Sequence, residues 1–113
     1  MDLDAWRERS RETWESMAVG WEAREAFLAH NMGVLDDWIV EQVTPSSGDV
    51  VLDVGAGPGG LGHRIAALVA PEGRVLSTDF AAEMVEVARR LGTARALDAE
   101  SMGLDDDVVD AVV

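Results

Sequence analysis

The sequence predicts an α/β fold with a parallel, doubly wound sheet that follows a helical segment. Residues 3 to about 43 have helical periodicity, whereas from residue 44 short β-branched segments alternate with helical ones. The segment VVLDV at 50–54 is nearly all apolar, as a parallel strand covered on both faces should be. We therefore predict two parts: a helical segment at 1–43 and an α/β half-domain at 44–113.

The helical segment carries two apolar sets at helical spacing. The first set is Trp6, Trp14, Met17, Ala18 and Trp21, and the second is Phe27, Leu28, Leu35, Trp38, Ile39 and Val43. Gly20 is expected to bend or break the first helix. Asn31 and Gly33 predict a helix break between the two sets. The segment TPSSGD at 44–49 predicts a turn.

The α/β part supplies about four strands and two helices. The strands are predicted at 50–54, 74–79, 94–97 and 108–113, and the helices at 61–70 and 81–92. Arg89 and Arg90 lie in the last predicted turn of the second helix, and Gly92 is suited to end it. The order strand, helix, strand, helix, strand predicts a parallel sheet.

Composition excludes several classes of partner. The chain has 113 residues and a net charge of −13, which opposes binding to nucleic-acid phosphates and to anionic membranes. It has no cysteine, so disulfides and thiolate metal sites are excluded. The amino terminus lacks an apolar signal region, and no apolar run approaches the roughly 20 residues of a membrane span. A cytoplasmic location is the expectation.

The segment DVGAGPGG at 53–60 predicts a ligand-binding loop between a strand and a helix. Glycines allow backbone N–H groups to approach a ligand closely, and the following helix offers its amino terminus. Gly55, Gly57 and Gly60 fit the dinucleotide pattern G-x-G-x-x-G, so a nicotinamide-dependent oxidoreductase stays open. Asp79 ends the second strand, where a carboxylate can bind a ribose diol.

Asp53 favours a cationic ligand over a dinucleotide. It lies two residues before Gly55, where a carboxylate would repel a pyrophosphate but attract an ammonium or a sulfonium. S-adenosylmethionine carries both cations. Gly55, Gly57 and Gly59 also fit the spacing G-x-G-x-G.

VLDVGAGPGG followed by VLSTDFAAEMVEVARR resembles the class I S-adenosylmethionine-dependent methyltransferases, with a nearer likeness to the small-molecule, quinone-biosynthesis subgroup. The likeness covers residues 48–113 and implies a Rossmann-like fold. It also implies that the loop holds the methionine part of the cofactor. The loop residues that match are Asp53, Gly55, Ala56, Gly57 and Gly59.

The resemblance assigns the rest of the cofactor to residues after the second and third strands. Asp79 would bind the ribose hydroxyls, while Phe80 and Met84 would lie near adenine. In the segment LDAE, Asp98 would accept from the adenine amino group and Ala99 would offer a backbone N–H.

Three other features are given structural roles. Trp14, Met17 and Trp21 resemble a segment that lies over the cofactor in this subgroup, but we expect them mainly to cover the sheet. His30 and His63 are isolated, and neither is predicted to be a catalytic base. The acidic run 105–107 is interpreted as a solvated loop, so no metal site is predicted.

The family's sheet has seven strands in the order 3-2-1-4-5-7-6, and this sequence provides four. We therefore expect a truncated chain that holds the cofactor, with a small-molecule methyl acceptor and no assignable catalytic residue. The last predicted strand would be an open sheet edge suited to self-association. The alternative is a catalytically silent module that binds S-adenosylmethionine or pairs strands with another chain.

Overall fold

A computed structural model describes residues 1–113. The helices are α1 (Leu3–Ala23), α2 (Glu25–Val43), α3 (Gly60–Val69) and α4 (Ala82–Ala88). The strands are β1 (Val50–Val54), β2 (Arg74–Asp79), β3 (Ala94–Ala96) and β4 (Ala111–Val112). They form one parallel sheet in the order β3-β2-β1-β4. The predicted Rossmann-like α/β fold with about four strands is confirmed.

The main core lies between α3 and the two central strands. Val51 of β1 pairs with Val75 of β2, and both pack against Ile65 and Val69 of α3. Three of these four side chains are fully buried, and burial of such a side chain stabilises the fold by about 1.5–3 kcal/mol. This cluster fixes β1 and β2 side by side, so their carboxyl ends meet at one edge of the sheet.

The two crossover helices lie on the same face of the sheet. Ser77 of β2 faces Gly62 of α3, and its register partner Ala94 packs in a cluster with α4. Successive right-handed crossovers in the order β1, β2, β3 place their helices in this way. On the opposite face, the edge residue Val112 is 57% exposed, whereas its register partner Leu52 is buried.

The predicted helix break at Asn31 and Gly33 is wrong. The interruption is at Arg24, whose N–H bonds to Trp21 O at 3.2 Å, a tighter turn than the α-helical one. Asn31 stays helical because its amide donates to Phe27 O at 2.8 Å, four residues back. Gly20 also lies inside a continuous α1. The surrounding helical turns therefore keep these residues helical in spite of their low helix propensity.

The elements after residue 80 are shorter than predicted. α4 ends at Ala88, and residues 89–91 form a turn in place of the predicted helix end. β4 is limited to Ala111–Val112. Asp110 explains its start, because its N–H donates to Val50 O and its carboxylate accepts from Val50 N, both at 2.8 Å. This double contact fixes the residue just before β4 against the start of β1.

The amino-terminal helices pack on the α/β part at separate places. Ala18 of α1 is buried against Ala81 and Met84, at the start of α4. Val40 of α2 packs against the core cluster around α3. No helix in the chain combines the length and the apolar character that crossing a membrane would require.

Candidate functional site

The loop between β1 and α3 is built from left-handed glycines. Gly55, Gly57 and Gly59 have φ values of +67°, +56° and +88°, which side chains rarely allow. The loop closes on itself through a 3.1 Å bond from Gly59 N to Ala56 O. The predicted glycine positions are therefore required by backbone conformation, and they turn the chain sharply from β1 into α3.

Gly59 also has a packing role. A Cβ at this position would lie 3.0 Å from Ala88 Cβ and 3.2 Å from Ala88 Cα in α4. The glycine thus allows α4 to approach the loop closely, and it brings the β2–α4 segment beside the first turn of α3.

Asp79 holds the loop against the carboxyl end of β2. Its Oδ2 accepts from Gly57 N at 3.0 Å, and its Oδ1 accepts from Ala81 N at 2.9 Å. The residue is 9% exposed. Each carboxylate oxygen keeps one further acceptor position. Asp79 can therefore support the loop and still accept hydroxyl donors from a ligand.

Thr78 is a structural residue of the site that the sequence analysis did not single out. Its hydroxyl donates to Asp53 O at 2.9 Å, and its own carbonyl accepts from Ala56 N at 2.8 Å. Thr78 thus joins the carboxyl end of β1 to the glycine loop. A β-branched polar residue just before the strand's final aspartate is the signal that could have identified it.

The Asp53 carboxylate lies beneath α3 and not in the open loop. It is 4% exposed, and its Oδ2 has no hydrogen-bond partner. A Cβ on Gly62 would be only 3.1 Å from this oxygen, so glycine is needed above it. Burial, and then the negative charges of Asp36 and Asp79, raise the pKa of Asp53 from 3.8 to about 6, against the opposing effect of the Gly62 N–H.

Asp36 of α2 was also missed as a neighbour of this site. Partial burial raises the pKa of the Asp36 carboxyl, while Arg64 lowers it. Arg64 itself is paired with the adjacent Asp37. Since α2 and α3 meet only in the folded chain, sequence spacing could not show that Asp36 increases the negative potential around Asp53.

The predicted adenine contacts after β2 lie in a packed cluster with α1. Met84 is 1% exposed and packs with Ala18 and Ala81. Phe80 and Trp21 are partly buried against the same cluster. Phe80 therefore stays accessible beside Asp79, whereas Met84 lies beneath α1 and supports the segment from inside.

The loop after β3 brings Asp98 and Ala99 to the same edge. Leu97 N donates to Asp79 O at 3.0 Å, which continues the β2–β3 ladder beyond the strands. Asp98 Oδ1 accepts from Glu100 N at 2.9 Å, and Asp98 Oδ2 accepts from Arg7 of α1. Ala99 is exposed, and its N–H donates to no group of the chain.

Apart from Asp53 beneath α3 and Met84 beneath α1, the predicted site residues share the carboxyl edge of the sheet, in the order loop, Asp79, Asp98. Hydrogen bonds connect the glycine loop to β2 and β2 to the loop after β3. The two histidines stand apart from this edge: His30 is exposed on α2, and His63 Nδ1 lies 3.1 Å from Leu91 O. The geometry offers carboxylates and free N–H groups, which suit a polar, partly cationic ligand.

Of the α1 residues Trp14, Met17 and Trp21, the two indoles pair with each other. The ring centroids of Trp14 and Trp21 are 6.1 Å apart, with the planes tilted by 58°. Trp14 and Met17 are 39% and 40% exposed. Both residues come before Ala18 on α1, the residue that packs against Ala81 and Met84.

Comparison with known proteins decides the family. A family model described as a methyltransferase domain matches residues 45–113, which is more than half of the chain. The chain belongs to the methyltransferase-domain family. A curated relative, demethylmenaquinone methyltransferase of Symbiobacterium thermophilum, is 35% identical over 83 residues, which cover 71% of this chain and 32% of the relative.

Solved structures share the fold of this methyltransferase domain. An S-adenosylmethionine-dependent methyltransferase of Aquifex aeolicus is 27% identical with a TM-score of 0.57, over 68% of this chain and 45% of that one. Phosphoethanolamine N-methyltransferase 1 of Haemonchus contortus is 22% identical with a TM-score of 0.63, over 90% of this chain and 24% of that one. The chain thus spans about a third of the curated relative and under half of either structure.

Proposed function

We propose that this chain carries the cofactor-binding part of an S-adenosylmethionine-dependent methyltransferase. Residues 44–113 would form the cofactor-binding unit, and residues 1–43 the helical segment that covers one side of it. The observation that carries the proposal is the contact of Asp79 with Gly57, which joins the glycine loop to β2 in a chain of the methyltransferase-domain family. The Aquifex aeolicus protein is an S-adenosylmethionine-dependent methyltransferase, and the Haemonchus contortus enzyme was solved in complex with S-adenosylhomocysteine.

The methionine part of the cofactor would lie at the glycine loop. Gly55 is exposed and its N–H donates to no group of the chain, so it can donate to the cofactor's carboxylate. The first turn of α3 adds further unpaired N–H groups. Asp53 would act from beneath through its negative charge, which favours the nearby ammonium and sulfonium. Gly57, Ala56 and Gly59 would shape the loop.

The adenosine part would extend along the edge of the sheet. The remaining acceptor positions of Asp79 suit the two ribose hydroxyls. Phe80 offers an aromatic surface for adenine, while Met84 supports that surface from within the cluster. The free N–H of Ala99 and the carboxylate of Asp98 match the acceptor and donor groups on the edge of adenine.

The bound cofactor supplies a methyl group on a positively charged sulfur. The glycine loop, with Asp53 beneath it, would hold this sulfonium end of the cofactor, whose chemistry is methyl transfer to a nucleophile of the acceptor. Holding the sulfonium in a fixed place relative to the acceptor is the main contribution expected of the protein. No residue of this chain is assigned as a general base.

The acceptor is proposed to be a small molecule. The support is the Symbiobacterium thermophilum relative, a demethylmenaquinone methyltransferase. The partly exposed Trp14 and Met17 on α1 could contact an apolar part of a small acceptor. Binding of nucleic acid or membrane is not expected from a net charge of −13, and a cytoplasmic location stays a prediction.

Self-association through β4 is a separate proposal. β4 pairs with β1 along one side only, so its other side presents unpaired backbone groups. Sedimentation velocity on wild type and Val112→Lys tests it. A concentration-dependent dimer that the lysine abolishes is expected, while a monomer at all concentrations would reject the proposal.

Isothermal titration of the chain with S-adenosylhomocysteine, S-adenosylmethionine and NADH tests the proposed function. Saturable one-to-one binding of the two adenosyl compounds, with no comparable NADH binding, is the expected result. NADH binding that is tighter than both would favour the oxidoreductase alternative instead. Absence of binding by all three to the folded chain would reject the site.

A further inference from the structure

Helix α1 is attached differently along its two halves. Its carboxyl-terminal half is held by packing, with Ala18 buried at 2% exposure and Glu22 paired to Arg90 at 2.5 Å. Its amino-terminal half has no buried side chain, and Leu3 and Trp6 are 64% and 53% exposed. The ion pairs of this half therefore matter more for its attachment than buried packing does.

Arg7 makes the polar contacts of that half. Its Nη2 is paired with Asp98 Oδ2, and its Nη1 lies 2.6 Å from Glu100 Oε2. Arg11, the other paired arginine in this half, binds only Glu8 and Glu15 of the same helix. Arg7 is thus the side chain whose ion pairs tie the first turns of α1 to the loop after β3.

The same contact uses the acceptor that the proposed function assigns to adenine. Asp98 Oδ1 already accepts from Glu100 N within its own loop. Asp98 Oδ2 accepts from Arg7, so a guanidinium already lies against this carboxylate. One acceptor position remains on each oxygen, and a 6-amino group of adenine that uses it would share the carboxylate with Arg7.

We propose that Arg7 competes with adenine for Asp98, so that cofactor binding transfers Arg7 to Glu100 and loosens the amino-terminal half of α1. The inference rests on the proposed function, because it needs an adenosyl ligand at this edge. Glu100 is suited to receive the guanidinium, since it is already in contact and is 71% exposed. Arg7 is then a residue that sets cofactor affinity without adding a contact to the cofactor.

The competition is expected to be modest. The side chains of Arg7 and Asp98 are 40% and 43% exposed, and ion pairs at such positions are weak and screened by salt. Removing Arg7 should tighten binding of S-adenosylhomocysteine about two- to fivefold at low salt. The gain should shrink at high salt, where the pair in wild type is already weakened.

Titration of S-adenosylhomocysteine into four proteins tests this competition: wild type, Arg7→Ala, Glu100→Gln and Arg9→Ala. Arg9 is the matched control, because it is an exposed arginine of the same helix with no ion pair. The ligand is a zwitterion, so the lost charge itself should matter little. Each titration is run at low and at high salt, after circular dichroism has shown an unchanged fold.

The expected order of affinity at low salt is Arg7→Ala tightest, wild type and Arg9→Ala equal, and Glu100→Gln weakest, because Arg7 then has no second partner. If Arg7→Ala binds no tighter than Arg9→Ala, or Glu100→Gln no weaker than wild type, the competition is overturned while the proposed function stands. If no protein binds the ligand, the proposed function fails, and this inference fails with it.

Discussion

The backbone N–H of Gly57 donates a 3.0 Å hydrogen bond to Oδ2 of Asp79, 22 residues further along the chain. This contact joins the two sequence features that predicted a nucleoside ligand, the glycine loop and the acidic end of the second strand. Because Asp79 shapes the loop and is also proposed to bind the ribose, loop geometry and ligand affinity should depend on the same residue.

Replacing Asp79 should therefore cost more affinity than the loss of one ligand contact. Asp79→Ala leaves the N–H groups of Gly57 and Ala81 without their acceptor and removes the proposed ribose contact. A hydrogen bond to a charged group contributes about 1.5–3 kcal/mol. We expect S-adenosylhomocysteine affinity to fall about ten- to a hundredfold in isothermal titration.

Two further variants separate geometry from charge. Asp79→Asn keeps one acceptor oxygen and should lose less affinity than Asp79→Ala. Glu83→Ala removes a carboxylate from the next helix that forms no ion pair, and it should leave affinity unchanged. Equal losses of affinity in Glu83→Ala and Asp79→Ala would show that affinity follows the net charge of the protein. That result would contradict a role for the hydrogen bonds of Asp79.

Gly59→Ala should destabilise the fold, because the new methyl group would meet Ala88 Cβ at 3.0 Å while the backbone stays at a φ of +88°. Overpacking and left-handed strain together cost about 2–5 kcal/mol. Urea denaturation should show a lower midpoint with an unchanged slope.

The neighbouring Gly60 provides the matched control for that variant. A Cβ at Gly60 has no atom within 4 Å and no left-handed φ, and the residue begins α3. Gly60→Ala should be neutral or up to about 1 kcal/mol more stable. If the two alanine variants have equal midpoints, the close approach of α4 to the loop does not limit stability.

Ionisation of Asp53 should make the fold less stable as pH rises from about 4 to about 6. The folded chain holds this proton more tightly than the unfolded chain, since the pKa of Asp53 is raised from 3.8 to about 6. The loss of unfolding free energy is absent below the unfolded-state pKa of 3.8 and complete above the folded-state pKa of about 6. This loss amounts to about 3 kcal/mol at neutral pH.

Subtracting two stability profiles isolates this effect from the other carboxylates. The free energy of unfolding of Asp53→Asn minus that of wild type should rise across pH 4 to 6 and be level on either side. Asp36→Asn should narrow the window, because Asp36 helps to raise the pKa of Asp53. A difference that stays flat from pH 3 to 8 would mean that Asp53 titrates normally in the fold.

Binding of S-adenosylmethionine near pH 6 should release protons. Its two cations would favour the ionised form of Asp53, which is about half protonated there in the free chain. Titrations in buffers of different ionisation enthalpy measure the number released, expected to approach about 0.5 per site. S-adenosylhomocysteine lacks the sulfonium and should release fewer, and Asp53→Asn should release none. Equal release by wild type and Asp53→Asn would contradict this role.

The sequence predicted the parts of the fold that local chemistry determines. The β-branched run at Val50–Val54, the left-handed glycines and the turn at 44–49 all lie where the pattern placed them. Helix interruption was placed wrongly, because Asn31 and Gly33 have only weak preferences that the flanking turns overcome, while Arg24 carries no breaking signal at all.

The contacts between distant elements could not be predicted in this way. Asp36 near Asp53 and Arg7 on Asp98 depend on how α1 and α2 dock, which no spacing within the chain expresses. The burial of Asp53 beneath Gly62 is similar: the motif marks an acidic residue, but the direction of its side chain follows from the pleat of β1.

The central claim is that the glycine loop, the end of β2 and the loop after β3 form one cofactor site. Titration of the ¹⁵N-labelled chain with S-adenosylhomocysteine, followed by amide chemical shifts, tests it most directly. The account predicts saturable shifts with a common affinity at Gly55, Gly57, Phe80 and Ala99, and little change at the far ends of the strands near Val50 and Arg74. Shifts that are absent, or that cluster away from this edge of the sheet, would contradict it.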